Sequence, residues 1–270
     1  MPSTDDSPYF FNVIRLPNFW RAFNTDSNVI QGNLAALLTL FSLILSLGVV
    51  SLATIVVPLV VRARSLDAGE RVAIYWSRGF YFALIGAGFM FVEIGLIQRL
   101  SVFLSYPVYA LGILLSTILL SAGIGSYLSE RLPLDRSPGL FLFPVATIIA
   151  IVAMQIALPK VITAMIALGM LAKIGVSILV IFPLGFLLGF FFPTGIRLTR
   201  AAGDSETPWY WALNGIFGVL SSAVAVFVAI FSGISTNFYI AVLCYSGVLV
   251  CIVKMNSTIK RSRVLETAVP

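Results

Sequence analysis

Long apolar runs broken by short charged stretches set the pattern of this chain. Positions 34–61 hold no charged residue over 28 positions. A helix rises about 1.5 Å per residue, and about 20 apolar residues cross a bilayer core of about 30 Å. This run is therefore long enough to span with tilt. The next, 79–98, lies between Arg78 and Arg99 and contains a single charge, Glu93. A third, 107–128, opens on Pro107, whose missing N–H costs nothing in a first helical turn. Positions 140–158 form a fourth span. Positions 174–192 form a fifth, in which Pro183 predicts a kink. Between these two, 161–172 is only 12 residues, enclosed by Lys160 and Lys173. That is about 18 Å of helix, too short to cross, and it reads as an interfacial or re-entrant helix.

Positions 208–253 carry no charge over 46 residues. One helix of that length is implausible, and Ser232-Gly233-Ile234-Ser235-Thr236 supplies the turn that divides it. The two halves, 209–230 and 237–253, become the sixth and seventh spans. Backbone groups in lipid need internal partners, which long runs find only as helices. The pattern predicts an all-α, polytopic transmembrane helix bundle of about seven spans plus the short interfacial or re-entrant helix. It divides into an N-terminal junction with an interfacial amphipathic segment (1–32), the helical domain (33–254) and a basic tail (255–270).

Composition agrees. Of 270 residues, 59% are hydrophobic and 10% charged. A soluble domain has about 25% charged residues, so this chain lacks the polar surface to cover a water-soluble globule. Its 270 residues include no histidine, which excludes His-based triads and most zinc sites. Cys244 and Cys251 stand seven apart on one predicted helix, so they neither bridge within it nor make a Cys-x2-Cys metal site. Gly86-Ala87-Gly88 lies inside a helix with no preceding strand and is no dinucleotide fingerprint. No catalytic, cofactor-binding or metal-binding residue is assigned, and no cofactor is expected.

The net charge of +6 could suggest nucleic acid in a soluble protein. Here the basic residues sit in short loops, and membrane orientation explains them without a nucleic-acid partner. Counted by side, twelve Lys and Arg fall on one face and five on the other. The positive-inside rule puts the larger number in the cytoplasm, so the C-terminus, with Lys254, Lys260, Arg261 and Arg263, is inside. Seven spans then leave the N-terminus outside. The stretch 10–23, with Phe11, Ile14, Phe19 and Trp20, is amphipathic enough to lie on the membrane surface.

Glu93 is the only ionisable residue well inside a predicted span. A charge at mid-membrane costs about 2.5–3.5 kcal/mol on insertion scales, so it should face the bundle or a cavity. It reads either as a ligand, cation or proton site, or as a structural group, paired with Arg99, Arg197 or Asn214 or kept neutral by desolvation. Gln98 and Arg99 end the second span and Arg197 the fifth. They either snorkel to the interface or bind anions or headgroups beside Glu93. Small residues predict helix packing in three places. These are Gly185 with Gly189, the stripe Gly112–Ser116–Gly123, and the seam of Asn214 with Gly218, Ser221, Ser222 and Ala225.

Two stretches carry a resemblance. One is 82–100 (FALIGAGFMFVEIGLIQRL), continuing as SVFLSYPVYAL. The other is 183–198 (PLGFLLGFFFPTGIRL), followed by PWYWALNG at 208–215. Both resemble the membrane region of bacterial spermidine synthase-like integral membrane proteins, in which a Rossmann-type aminopropyltransferase-like domain is joined to multispan segments. The N-terminal STDDSPYFFN looks like the junction that closes that domain, with Asp5 and Asp6 its last trace, a pair that otherwise reads as a solvated turn. The catalytic domain itself is absent from these residues, so no aminopropyltransferase residue carries over. Glu93, Gln98, Arg99, Arg197 and Asn214 fall within the matching blocks without an assigned role.

The resemblance implies a non-catalytic anchor or partner subunit in the bacterial inner membrane. Its partners would be the lipid bilayer and a separate Rossmann-type subunit or other membrane protein. It also implies a nucleotide-using domain in the cytoplasm, whereas the charge count puts the N-terminus outside. The alternative function is a carrier for a polyamine or other small cation, with Glu93 as counter-charge. A membrane enzyme would have to rest its chemistry on Glu93 and arginines alone.

Overall fold

The apolar runs fold as helices joined by very short turns. The structure, a computed structural model, describes residues 6, 28–64, 69–134, 138–200 and 207–267. Its helices are α1 (Asn28–Ser51), α2 (Val57–Arg64), α3 (Gly69–Phe103), α4 (Pro107–Ser129), α5 (Gly139–Met165), α6 (Met170–Leu188), α7 (Phe191–Arg200), α8 (Thr207–Ser232) and α9 (Ile234–Thr267). No strand occurs among the described residues. Seven stretches are long and apolar enough to cross a membrane: Gly32–Ile55, Trp76–Phe103, Pro107–Ser129, Gly139–Met165, Met170–Arg200, Thr207–Ser232 and Ile234–Ser257. The chain is a multi-pass, all-α helical bundle of membrane type. Its outer surface fits lipid, since Leu171, Val108, Leu179 and Leu243 are 70–86% exposed.

Local sequence explains the joints. The π-helical turn Leu52–Val56 links α1 to α2, and the Val57 N–H donates to Leu52 O, five residues back. Pro58 follows at once. Its ring would crowd the carbonyl four residues earlier, and widening the helix relieves that contact. Between α3 and α4, Ser105 takes φ 63°, a left-handed conformation that costs a non-glycine roughly 1–2 kcal/mol. Between α8 and α9 the turn shrinks to one residue, Gly233, at φ +87°, where a side chain would be strained.

The short helix expected at 161–172 is not a separate element. Positions 161–165 finish α5, the turn occupies 166–169, and 170–172 begin α6. Lys160 fails to end α5 because a helix of 27 residues is about 40 Å long, which puts this lysine near its end. Lys173 is 9% exposed, and its Nζ lies 5.3 Å from the centre of the Phe103 ring. Residue charge marked a boundary in the sequence that the packing does not respect. Likewise α6 stays helical through Pro183 to Leu188, and the break falls at Gly189-Phe190. Helix α9 runs on through the expected tail to Thr267. The amphipathic stretch 10–23 lies outside the described residues.

Helix α3 is the centre of the bundle. In its apolar stretch 67% of residues are buried, against 17–44% in the other six. Glycines let two helices approach it on two faces. A Cβ at Gly86 would lie 2.2 Å from the Asn214 backbone oxygen on α8. Gly88 and Gly95 instead rest against Tyr245 and Phe238 on α9. These pairings make α3 parallel to α8 and antiparallel to α9. Aromatic rings fill the seam, with Phe82 stacked on Tyr210 at 4.8 Å and the Tyr81 hydroxyl donating to Phe191 O at 2.7 Å.

Helices α4 and α6 form a second close, parallel pair. A Cβ at Gly125 would stand 2.1 Å from Phe186 O, one at Gly189 2.1 Å from Ala122 O, and one at Gly185 2.0 Å from Ser121 Oγ. The stripe Gly112–Ser116–Gly123 is not part of this contact. All three residues are exposed, and a Cβ at either glycine would meet nothing within 4 Å. The face that does pack carries Ala110, Leu114, Ile118, Ser121 and Gly125. The exposed stripe is rotated away from it. Helix α1 lies at the periphery, with Leu34 and Leu37 against Ile230 and Phe231 of α8.

Candidate functional site

The five polar residues singled out from sequence do not converge on one point. Arg99 lies near the α3 end that meets α4, and Arg197 lies at the opposite end of the bundle. Arg197 donates to Ser129 O at 2.7 Å and to Thr194 Oγ1 at 3.2 Å. The first bond supplies a partner to a carbonyl at the C-terminus of α4, where the helix dipole also favours a cation. This is a capping contact between α7 and α4.

Arg99 builds the most connected polar site. Its side chain turns inward, 5% exposed, rather than out to the interface. The guanidinium donates to Ser235 Oγ at 2.8 Å, to Gln155 O at 3.3 Å and to Asp6 Oδ1 at 3.4 Å, and its Cζ sits 4.8 Å from the centre of the Phe238 ring. It thus fastens Asp6, α5 and α9 to α3. A fork of five donors in one plane suits this multiple engagement.

Asp6 is the residue that sequence reasoning undervalued. It is not a free solvated turn. Its backbone oxygen accepts from the Ile234 N–H at 2.8 Å, and its Oδ1 accepts from the Ser235 N–H at 2.8 Å and from the Ser235 hydroxyl. Two donors at the start of α9 are thereby satisfied, as an N-cap does, by a residue more than 200 positions away. Asp6, Arg99, Val102, Gln155, Pro159 and Ser235 help to line a cavity of about 170 Å³. Among the described residues, Gln155 Oε1, beside it, and Gln98 Oε1 are buried with no hydrogen-bond partner, as are both amide atoms of Asn237, fully buried one turn into α9. The Gly-Ile-Ser-Thr turn was the only sequence signal for this cluster.

Glu93 is 7% exposed and sheltered among helices. With Gly86 on Asn214 and Met90 near Gly218, the parallel register brings Glu93 to the level of Ser221. Among the described residues no hydrogen bond or ion pair reaches its carboxylate. Neither Arg99 nor Arg197 is its partner, since both are engaged elsewhere. Replacing it by an isosteric amide therefore removes no pair. Glu93→Gln is expected to leave the unfolding midpoint in detergent unchanged or to raise it by about 1–3 °C. A fall of several degrees in a thermal melt would reveal a partner and overturn this reading.

Asn214 packs directly against Gly86 of α3. It helps to line the larger cavity, of about 410 Å³, between α3, α6, α7, α8 and α9. Cys244 and Cys251 are free and buried on α9. Among the described residues no three His, Cys, Asp or Glu side chains gather as metal ligands do. No protein family, curated protein or solved structure matches this chain.

Proposed function

We propose that this chain is the membrane domain of a bacterial spermidine synthase-like assembly, a non-catalytic anchor or partner subunit for a Rossmann-type domain. The observation that carries the reading is the docking of Asp6. Asp6, which lies in the stretch resembling the junction to a soluble domain, is bonded to Arg99 of α3 and to Ser235 of α9. A junction held this way transmits position from the bundle to whatever it adjoins. Seven apolar spans with twelve basic residues on one face support a multi-pass protein of the inner membrane with its C-terminus in the cytoplasm; the same count puts the Asp6 end, and a subunit docked there, on the opposite face.

The test is purification of the chain from native membranes in mild detergent, with mass spectrometry of what accompanies it. An aminopropyltransferase-type subunit is expected in the complex and is expected to be lost with Asp6→Ala. Liposomes holding the chain alone are expected to take up spermidine no faster than empty ones. Gradient-driven spermidine uptake that disappears in Glu93→Gln would replace the anchor reading with a carrier.

A further inference from the structure

The larger cavity points to a ligand unrelated to anchoring. Its 410 Å³ lies within the range of small-molecule sites, about 300–1,000 Å³. None of its thirteen lining residues is charged. Most are apolar, among them Ile85, Phe89, Leu188 and Phe192. Two groups able to hydrogen-bond stand out against that background. Tyr245 is 1% exposed, and among the described residues its hydroxyl has no hydrogen-bond partner. The Asn214 side chain is equally unengaged. The third polar side chain, Ser222, already donates to Val219 O at 2.7 Å. Both residues line the same, otherwise largely apolar cavity, a setting that fits a ligand carrying a complementary oxygen.

The place of entry narrows the ligand further. Gly215 and Val219, one turn apart on α8, line the cavity and are exposed. They stand eight and twelve residues beyond Thr207, about 12 and 18 Å along a helix of 26 residues. The mouth therefore opens at the depth of acyl chains, not at the aqueous rim. A molecule arriving there comes from the bilayer. With no charged residue to receive it, its polar group is neutral. Gly215 leaves the way open, since a Cβ there would meet nothing within 4 Å.

We propose that this crevice between α3, α8 and α9 binds a long-chain bilayer molecule through a single neutral hydroxyl or carbonyl oxygen, held by Tyr245 and Asn214. The full chain in nanodiscs would be exposed to three photoactivatable, alkyne-tagged probes: a long-chain fatty alcohol, the matching hydrocarbon and the matching fatty acid anion. The alcohol is expected to crosslink to cavity residues of α3 and α8, and the hydrocarbon and the anion much less. Tyr245→Phe and Asn214→Leu are each expected to lower alcohol labelling about fivefold, the size of one hydrogen bond. Gly215→Leu, which fills open space, is expected to reduce it to background while the protein still elutes as a single species. Equal labelling by alcohol and hydrocarbon, or labelling indifferent to both polar variants, would mark a seam passively filled by lipid and overturn the proposal. Absence of labelling would overturn it as well.

Discussion

Arg99→Met is expected to lower the stability of the bundle by about 2–4 kcal/mol, the largest single effect among its polar residues. The reason is geometric. Three hydrogen bonds from one guanidinium join segments that are otherwise far apart in the chain, with separations of 56, 93 and 136 residues. Methionine keeps the stem and most of the volume, so the loss isolates the guanidinium. The ion pair itself contributes the smaller share, because the Asp6 side chain is 43% exposed and water screens it. Asp6→Asn should therefore cost about 1 kcal/mol or less. Arg99→Lys should recover less than half of the loss, since an ammonium cannot engage Ser235 and Gln155 O from one plane. Equilibrium unfolding in mixed micelles measures all three. An Arg99→Met protein within about 0.5 kcal/mol of the parent would show that the cluster is decorative.

Two alanine substitutions test the close helix pair. Gly125→Ala and Gly189→Ala each place a Cβ about 2.1 Å from a backbone oxygen of the facing helix, at Phe186 and Ala122. Backbone cannot rotate aside as a flexible side chain can, so α4 and α6 must separate. A destabilisation of about 2–3 kcal/mol is expected for each, at the upper end of overpacking effects. Gly112→Ala and Gly123→Ala are the controls. They meet nothing within 4 Å on the same helix, and alanine there should stabilise by about 0.5–1 kcal/mol through helix propensity. If all four behave alike, the register of the α4–α6 contact is wrong.

These glycines show where sequence reasoning reached its end. The number and nature of the spans were legible because solvent alone sets them: a run of about 20 apolar residues has few other ways to satisfy its backbone. The turn at Gly233 was legible for a related reason, since glycine and serine interrupt an otherwise unbroken run. Which stripe of α4 packs was not legible. Gly112 and Gly123 are chemically identical to Gly125, and a lipid face is as apolar as a helix interface. Lys160 and Lys173 misled because a charge near a helix end can fold back, as Lys173 does over Phe103. Of the four residues grouped with Glu93, only Gln98 and Arg99 lie near it along the chain. The alternation of spans already separates Arg99 from Arg197, but which helices touch, and so what stands beside Glu93, is not written in the charge pattern. The link between Asp6 and Arg99 was invisible for the same reason.

The central position of α3 has a consequence for biogenesis. Its two chief neighbours, α8 and α9, are translated more than 100 residues after it. Synthesis at about 5–20 residues per second leaves roughly ten to thirty seconds between the emergence of Phe103 and that of Thr267. Throughout that interval the nascent α3 carries an acid and an arginine with no permanent shelter. The insertion machinery, or the first spans acting as temporary companions, must hold it until α8 and α9 arrive.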